Sequence, residues 1–143
     1  MTIRAVLDTN TVISALLWKG TPHRVLRAVY FHPIRFYTSS FLFQELATTL
    51  AKDKFDEPVK LLKTSRAVLL AHYQQIADTV EPDFIPEAVS DCPPDNHVLA
   101  CALKVKANVI VSGDGHLKEL NSYEGIPIMN AAGFMNKYFP SKE

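Results

Sequence analysis

The stretch Ile3 to Asn10, IRAVLDTN, decides the fold: a short apolar run that stops at an acid, Asp8, followed by Thr9 and Asn10. A continuous apolar run of this length near the N-terminus reads as a buried strand of a parallel sheet, although periodicity alone does not separate it from a buried helix segment. Asp8 then stands where the strand ends. In open α/β sheets ligands bind in the crevice outside the carboxyl ends of the strands, so an acid at that position is where a site is built. The pattern returns at Asn108 to Asp114, NVIVSGD, another apolar run closing on a small-residue turn and an acid. Two such strands in one parallel sheet bring Asp8 and Asp114 to the same edge. Each acid taken singly is equally well read as a cap on the next helix. The repetition is what points to a site.

Outward from that strand, Val12, Ile13, Leu16 and Leu17 keep a helical spacing, and Lys19-Gly20-Thr21-Pro22 ends it. A second helix is expected from about Pro22 to Phe31, stopped by Pro33. Arg35 to Thr38 reads as a strand, and Ser39 or Ser40 as the cap of a helix running from Phe41 to about Lys52. Pro58 to Val80 predicts one long amphipathic helix, an insertion between sheet units, with Val59, Leu61, Leu62, Val68, Leu69, Leu70, Tyr73 and Ile76 as core or interface positions. On it Lys60, Lys63 and Arg66 recur every three residues. That basic stripe suits a phosphate backbone, or is simply the wet face of a helix. An acidic, proline-rich connection follows to Pro94, and Asp95 opens a helix marked by Val98, Leu99, Ala102 and Leu103. Asn108 to Ser112, Ile126 to Met129 and Ala131 to Tyr138 read as strand, strand and helix. Strands separated by helices throughout predict a single α/β domain over residues 1–143. Its core would run from about 3 to 135 with the helical insertion at about 58 to 80, around a parallel sheet of four to five strands flanked by helices.

The composition agrees. At 143 residues, 48% hydrophobic and 21% charged, the chain suits one globular domain. A formal net charge of zero excludes a chain-wide positive field, so nucleic acid would have to be held by a local patch or through metal. Cys92 and Cys101 make neither a metal spacing nor a disulfide framework and read as free thiols in a reducing compartment. Without a signal peptide or an apolar run long enough to cross a bilayer, the expected location is the cytoplasm, away from any membrane.

Four acids, Asp8, Glu45, Asp95 and Asp114, fall at or near a strand end or a helix start. Glu45 has no intrahelical salt-bridge partner in the sequence, and taken alone it reads as a solvated surface acid. Asp95 taken alone is a good cap. Together, converging carboxylates repel unless a cation neutralises them. Oxygen donors without a nearby Cys or His pair favour Mg²⁺ or Mn²⁺ over Zn²⁺. An ion in such a setting polarises a phosphoryl oxygen and activates water for attack on a phosphodiester. That is nuclease chemistry.

Asp8-Thr9-Asn10 after a strand, Glu45 in an early helix, Asp95-Asn96 opening a helix and Ser112-Gly113-Asp114 after a strand resemble the PIN-domain family, particularly the VapC-like toxins of bacterial and archaeal toxin–antitoxin pairs. The resemblance covers Ile3 to about Met135. It implies a Rossmann-like fold with strand order 3-2-1-4-5 and a Mg²⁺- or Mn²⁺-dependent endoribonuclease. It also implies an RNA substrate and a homodimer neutralised by a cognate antitoxin. By the same resemblance Asp8, Asp95 and Asp114 match metal-binding aspartates, Glu45 the family's glutamate, and Asn10 the polar residue supporting the first aspartate. Many relatives carry a further acid two residues beyond the last aspartate, where this chain has His116. Asp91 in the preceding loop could partly compensate for that acid. His116 could donate to a phosphate or protonate a leaving oxygen, or be a solvated loop histidine. Ser112 could position substrate or water, or merely shape its turn, and His97 reads as surface or core.

Two other functions compete. One is a weakly active or inactive PIN domain that binds RNA or antitoxin. The other is a phospho-accepting domain using Asp8 as nucleophile, which wants a second acid where Asn10 stands. For dimer or antitoxin contacts the candidates are the Pro58–Val80 segment and the Leu16–Phe31 region.

Overall fold

The computed structural model describes residues 2–88, 93–113 and 115–140. Its sheet has six strands, β1 (Ile3–Leu7), β2 (Ile34–Thr38), β3 (Ala77–Thr79), β4 (Val109–Val111), β5 (Ser122–Tyr123) and β6 (Ile126–Met129). They lie in the order β3-β2-β1-β4-β6-β5, and every pairing is parallel except β5 with β6. The expected α/β class with a mostly parallel sheet flanked by helices is what forms, with six strands in place of four to five. The order of the first four strands is the one the family resemblance implies.

The helices are α1 (Thr9–Leu17), α2 (Thr21–Arg27), α3 (Ser40–Leu50), α4 (Asp56–Leu61), α5 (Arg66–Ile76), α6 (Pro93–Val105), α7 (Gly115–Leu120) and α8 (Ala131–Tyr138). None of the helices among the described residues is long and apolar enough to cross a membrane. The central strands explain the division of the core. Ala5, Leu7, Val109 and Val111 face one apolar cluster with residues of α1, α2, α5 and α8. Val6 and Ile110, pointing the opposite way, face a second cluster with α6, α7 and β6. Both faces are therefore covered, which is why β1 and β4 are apolar at nearly every position.

Helix starts follow short polar side chains. Asp8 accepts from the backbone N of Thr11 (2.9 Å), Ser39 from Leu42 (3.2 Å) and Asn130 from Gly133 (2.7 Å). Each satisfies a backbone donor that the first helical turn leaves without an intrahelical acceptor.

The segment from Pro58 to Val80 is not one helix. After α4 the chain turns at Lys63, whose φ is 55°, and Ser65 caps α5 by accepting from Val68 N. The helical spacing of apolar residues continues across this turn, so periodicity alone does not reveal the break. Nor do the three basic residues form a stripe. Lys60 is in α4, Lys63 in the turn, and Arg66 reaches back to Leu50 O (2.6 Å), Lys52 O (3.1 Å) and the Asp56 carboxylate (2.7 Å). Of the apolar positions expected there, Val59 and Tyr73 are buried, whereas Leu61, Leu62 and Val68 are exposed. The segment ends as the edge strand β3, paired with β2 from Phe36↔Ala77 to Thr38↔Thr79. Its sequence, Ala-Asp-Thr, carries little strand propensity of its own, and the pairing rests on tertiary context.

At the opposite edge β5 and β6 form a hairpin in which Tyr123 pairs with Ile126. Its two loop residues, Glu124 and Gly125, both have positive φ (49° and 81°). Two left-handed residues make the turn whose twist matches that of the strands.

Candidate active site

Strand register places the first acid. Val6 is level with Tyr37 of β2, and Leu7 with Val111 of β4, so one step beyond Leu7 lies the carboxyl edge, with Ser39 on one side and Ser112 on the other. Asp8 is there, only 4% exposed. Its Oδ1 accepts from Thr11 N at 2.9 Å and its Oδ2 from the Ser112 hydroxyl at 2.5 Å. Asp8 is thus a helix cap standing at the edge where a site is expected, and the two readings of its sequence position do not exclude each other. These two bonds orient the carboxylate.

Asp95 lies in the first turn of α6, 7% exposed, with buried Asn96 beside it. Glu45 is half-buried in α3, where Thr49 Oγ1 donates to its Oε1 at 3.3 Å. Helices α3 and α6 pack against one another, and α3 also packs on α1. Asp114 and Asp91 lie outside the described residues. His116, in the first turn of α7, is exposed. Asn10, in the first turn of α1, lines an uncharged cleft of about 350 Å³ in which it, Thr11, Ser14 and Asn130 alternate with Pro22, Ala131 and Ala132.

The structure therefore joins Asp8 directly to Ser112. It sets Asp95 and Glu45 on packed helices that both start at the carboxyl edge. Among the described residues, no three of Asp, Glu, His and Cys stand together as a group able to hold a metal ion.

Several contacts of this edge escape sequence reasoning. Glu81, part of the acidic connection after β3, accepts from both the backbone N and the hydroxyl of Ser40 at the start of α3. Phe41 and His97 stack face to face, ring centroids 3.6 Å apart and planes 7° from parallel. Burial lowers the His97 pKa below the usual histidine value. Tyr73 of α5 lies in the core beneath the edge. Burial, then Cys101, then Asp8 hold its hydroxyl protonated beyond the usual tyrosine range. Cys101 is a buried free thiol, pushed up to about 12 by burial and, second, by Glu81.

A family profile described as the PIN domain matches residues 4–116, about four fifths of the chain. The chain belongs to the PIN-domain family. The matched span takes in β1 through the start of α7, and with it all four acids read from the sequence. A search of curated proteins returns no match to this chain. The PIN domain is a nuclease-type fold, and its members typically use divalent metal ions. The donors here suit a hard cation: buried Asp8 and Asp95 supply carboxylate oxygens, with the Ser112 hydroxyl alongside. The buried, protonated Cys101 thiol offers no soft ligand in competition.

Proposed function

We propose that this PIN domain is a Mg²⁺- or Mn²⁺-dependent endoribonuclease acting in the cytoplasm as the toxin of a toxin–antitoxin pair. The observation carrying the proposal is Asp8, buried at the carboxyl edge and bonded there to Thr11 N and Ser112, near an open cleft that Asn10, Thr11, Ser14 and Asn130 line. Asp8, Asp95 and Asp114 would hold the ion, with Glu45 completing the acidic set. The chemistry that a divalent ion held there would supply is polarisation of a phosphoryl oxygen and activation of water. The chain's own part is positional. Ser112 and Thr11 fix the Asp8 carboxylate before any ligand arrives, which removes reorganisation from the reaction. Asn10 and Asn130, lining the cleft, offer amide groups to a nucleotide flanking the cut.

The test is incubation of purified protein with a mixed pool of structured and single-stranded RNA in Mn²⁺ or Mg²⁺. Cutting that EDTA abolishes is the expected result, and RNA left intact in both metals would sink the reading.

A second reading, an RNA- or antitoxin-binding module with weak or no catalysis, draws on the zero net charge and on His116 in place of a further acid. Finding RNA bound but uncut in that same assay is its signature.

For the homodimer we propose the face where the two candidate regions meet. Leu16, Leu26 and Tyr30 from one, with Val68 and Leu69 from the other, line a single largely apolar cleft of about 270 Å³. Val68 is 58% exposed there, so Val68→Glu leaves the monomer's core intact while placing a charge in the contact. Sedimentation is expected to give dimer mass for the wild type and monomer mass for the variant. Equal masses for the two would remove this face from consideration.

A further inference from the structure

We propose that the Phe41–His97 pair is a stacking platform for one unpaired nucleobase of the bound RNA. The inference rests on the endoribonuclease reading for its ligand class, and on the placement of the pair for its content. Phe41 belongs to the first turn of α3, directly after Ser39 at the end of β2, and Glu45 follows it one helical turn later. His97 is two residues beyond Asp95 in α6. The pair therefore bridges the starts of the two helices that carry Glu45 and Asp95, at the same sheet edge as Asp8.

Its geometry suits a base. The rings are nearly coplanar in direction, 7° apart at 3.6 Å, so a third flat ring can extend the stack. Phe41 is a large apolar side chain left 39% exposed, although the core lies one turn away at Leu42 and Leu46. Exposure of an aromatic beside an acid-lined edge calls for an occupant that is flat, apolar on its faces and polar at its rim. An unpaired base has that form, whereas a base inside a duplex is already stacked on both faces.

The charge balance points the same way. With a net charge of zero the chain has no general field to draw in a phosphate backbone, and Arg66 is tied to Leu50, Lys52 and Asp56. Affinity must then come largely from contacts other than phosphate pairing. Base–aromatic stacking supplies such a contact and tolerates any sequence.

The experiment uses a short single-stranded RNA carrying one 2-aminopurine, whose fluorescence falls when it stacks, titrated with the full chain in EDTA so that nothing is cut. Quenching is expected with wild type. Phe41→Leu keeps the apolar bulk and removes the ring, and should bind about tenfold more weakly, with the quenching lost. Wild type should lose the same factor when the probe carries an abasic site in place of 2-aminopurine, with no further loss when both changes are combined. A thermal melt confirms that the variant folds. Unchanged affinity in Phe41→Leu, binding without quenching, or equal binding of a fully paired duplex each overturn the platform. So does a metal-free wild type that binds no RNA, because stacking needs no ion. Cleavage in Mn²⁺ is read separately. Cutting by wild type with no effect of Phe41→Leu removes the platform and keeps the nuclease, while stacking without cutting does the reverse.

Discussion

Asp8→Asn is expected to lose metal-dependent RNA cleavage by at least a hundredfold while melting within a few degrees of the wild type. The two halves of this expectation have separate causes. Asparagine caps a helix as well as aspartate does, so its side-chain oxygen can keep the bond from Thr11 N now made at 2.9 Å. Its amide can meet Ser112, whose hydroxyl reverses from donor to acceptor. What it lacks is the negative charge that a divalent ion requires. Asp8→Ala should behave differently, for it removes both the cap on Thr11 N and the bond from Ser112. Loss of the cap alone costs about 1 kcal/mol. Comparing the two variants by RNA cleavage and by thermal melting separates the chemical from the structural role. If Asp8→Asn cut RNA at the wild-type rate, contamination would be the explanation and the proposed site would fall.

Tyr73→Ala should produce the largest change in stability, about 3–5 kcal/mol, seen as a fall in Tm of roughly 10 °C or more. Tyr73 is 2% exposed and packs in the same cluster as Ala5, Leu7, Phe36 and Leu46. An inserted helix lying on the outside of the domain would lose little from this truncation. Here α5 supplies part of the floor beneath Asp8, so its loss also loosens the edge that carries the acids. A drop of less than about 1 kcal/mol in chemical denaturation would mean that α5 is peripheral after all.

The sequence was most legible where burial and local chemistry agree. IRAVL and VIV are apolar because both sheet faces are covered, and Asp8, Ser39 and Asn130 announce helix starts through the bonds that they make. It was least legible between Pro58 and Val80. There a left-handed Lys63, a residue type with no preference for that conformation, divides a continuous helical periodicity. The strand Ala77–Thr79 has no pattern of its own and exists because β2 offers it a partner. Site residues show the same division. Acids that end strands or open helices can be read from order alone. The Ser112–Asp8 bond joins residues 104 apart, and the Phe41–His97 stack joins two helices, so both depend on packing that no local window contains.

The small hairpin of β5 and β6 has a consequence for the behaviour of the molecule in concentrated solution. A parallel sheet ends on each side in a row of backbone donors and acceptors able to pair with another molecule's strand. On the β6 side, the tight turn at Glu124-Gly125 folds the two-residue β5 over that row, leaving an outermost strand too short to template an intruder. On the opposite side β3 has only three residues, and Asp78 is exposed and ion-paired with Arg35 at 2.8 Å. Short, charged margins of this kind resist edge-to-edge aggregation, so the proposed dimer contact around Val68 has no competing route through the sheet edges.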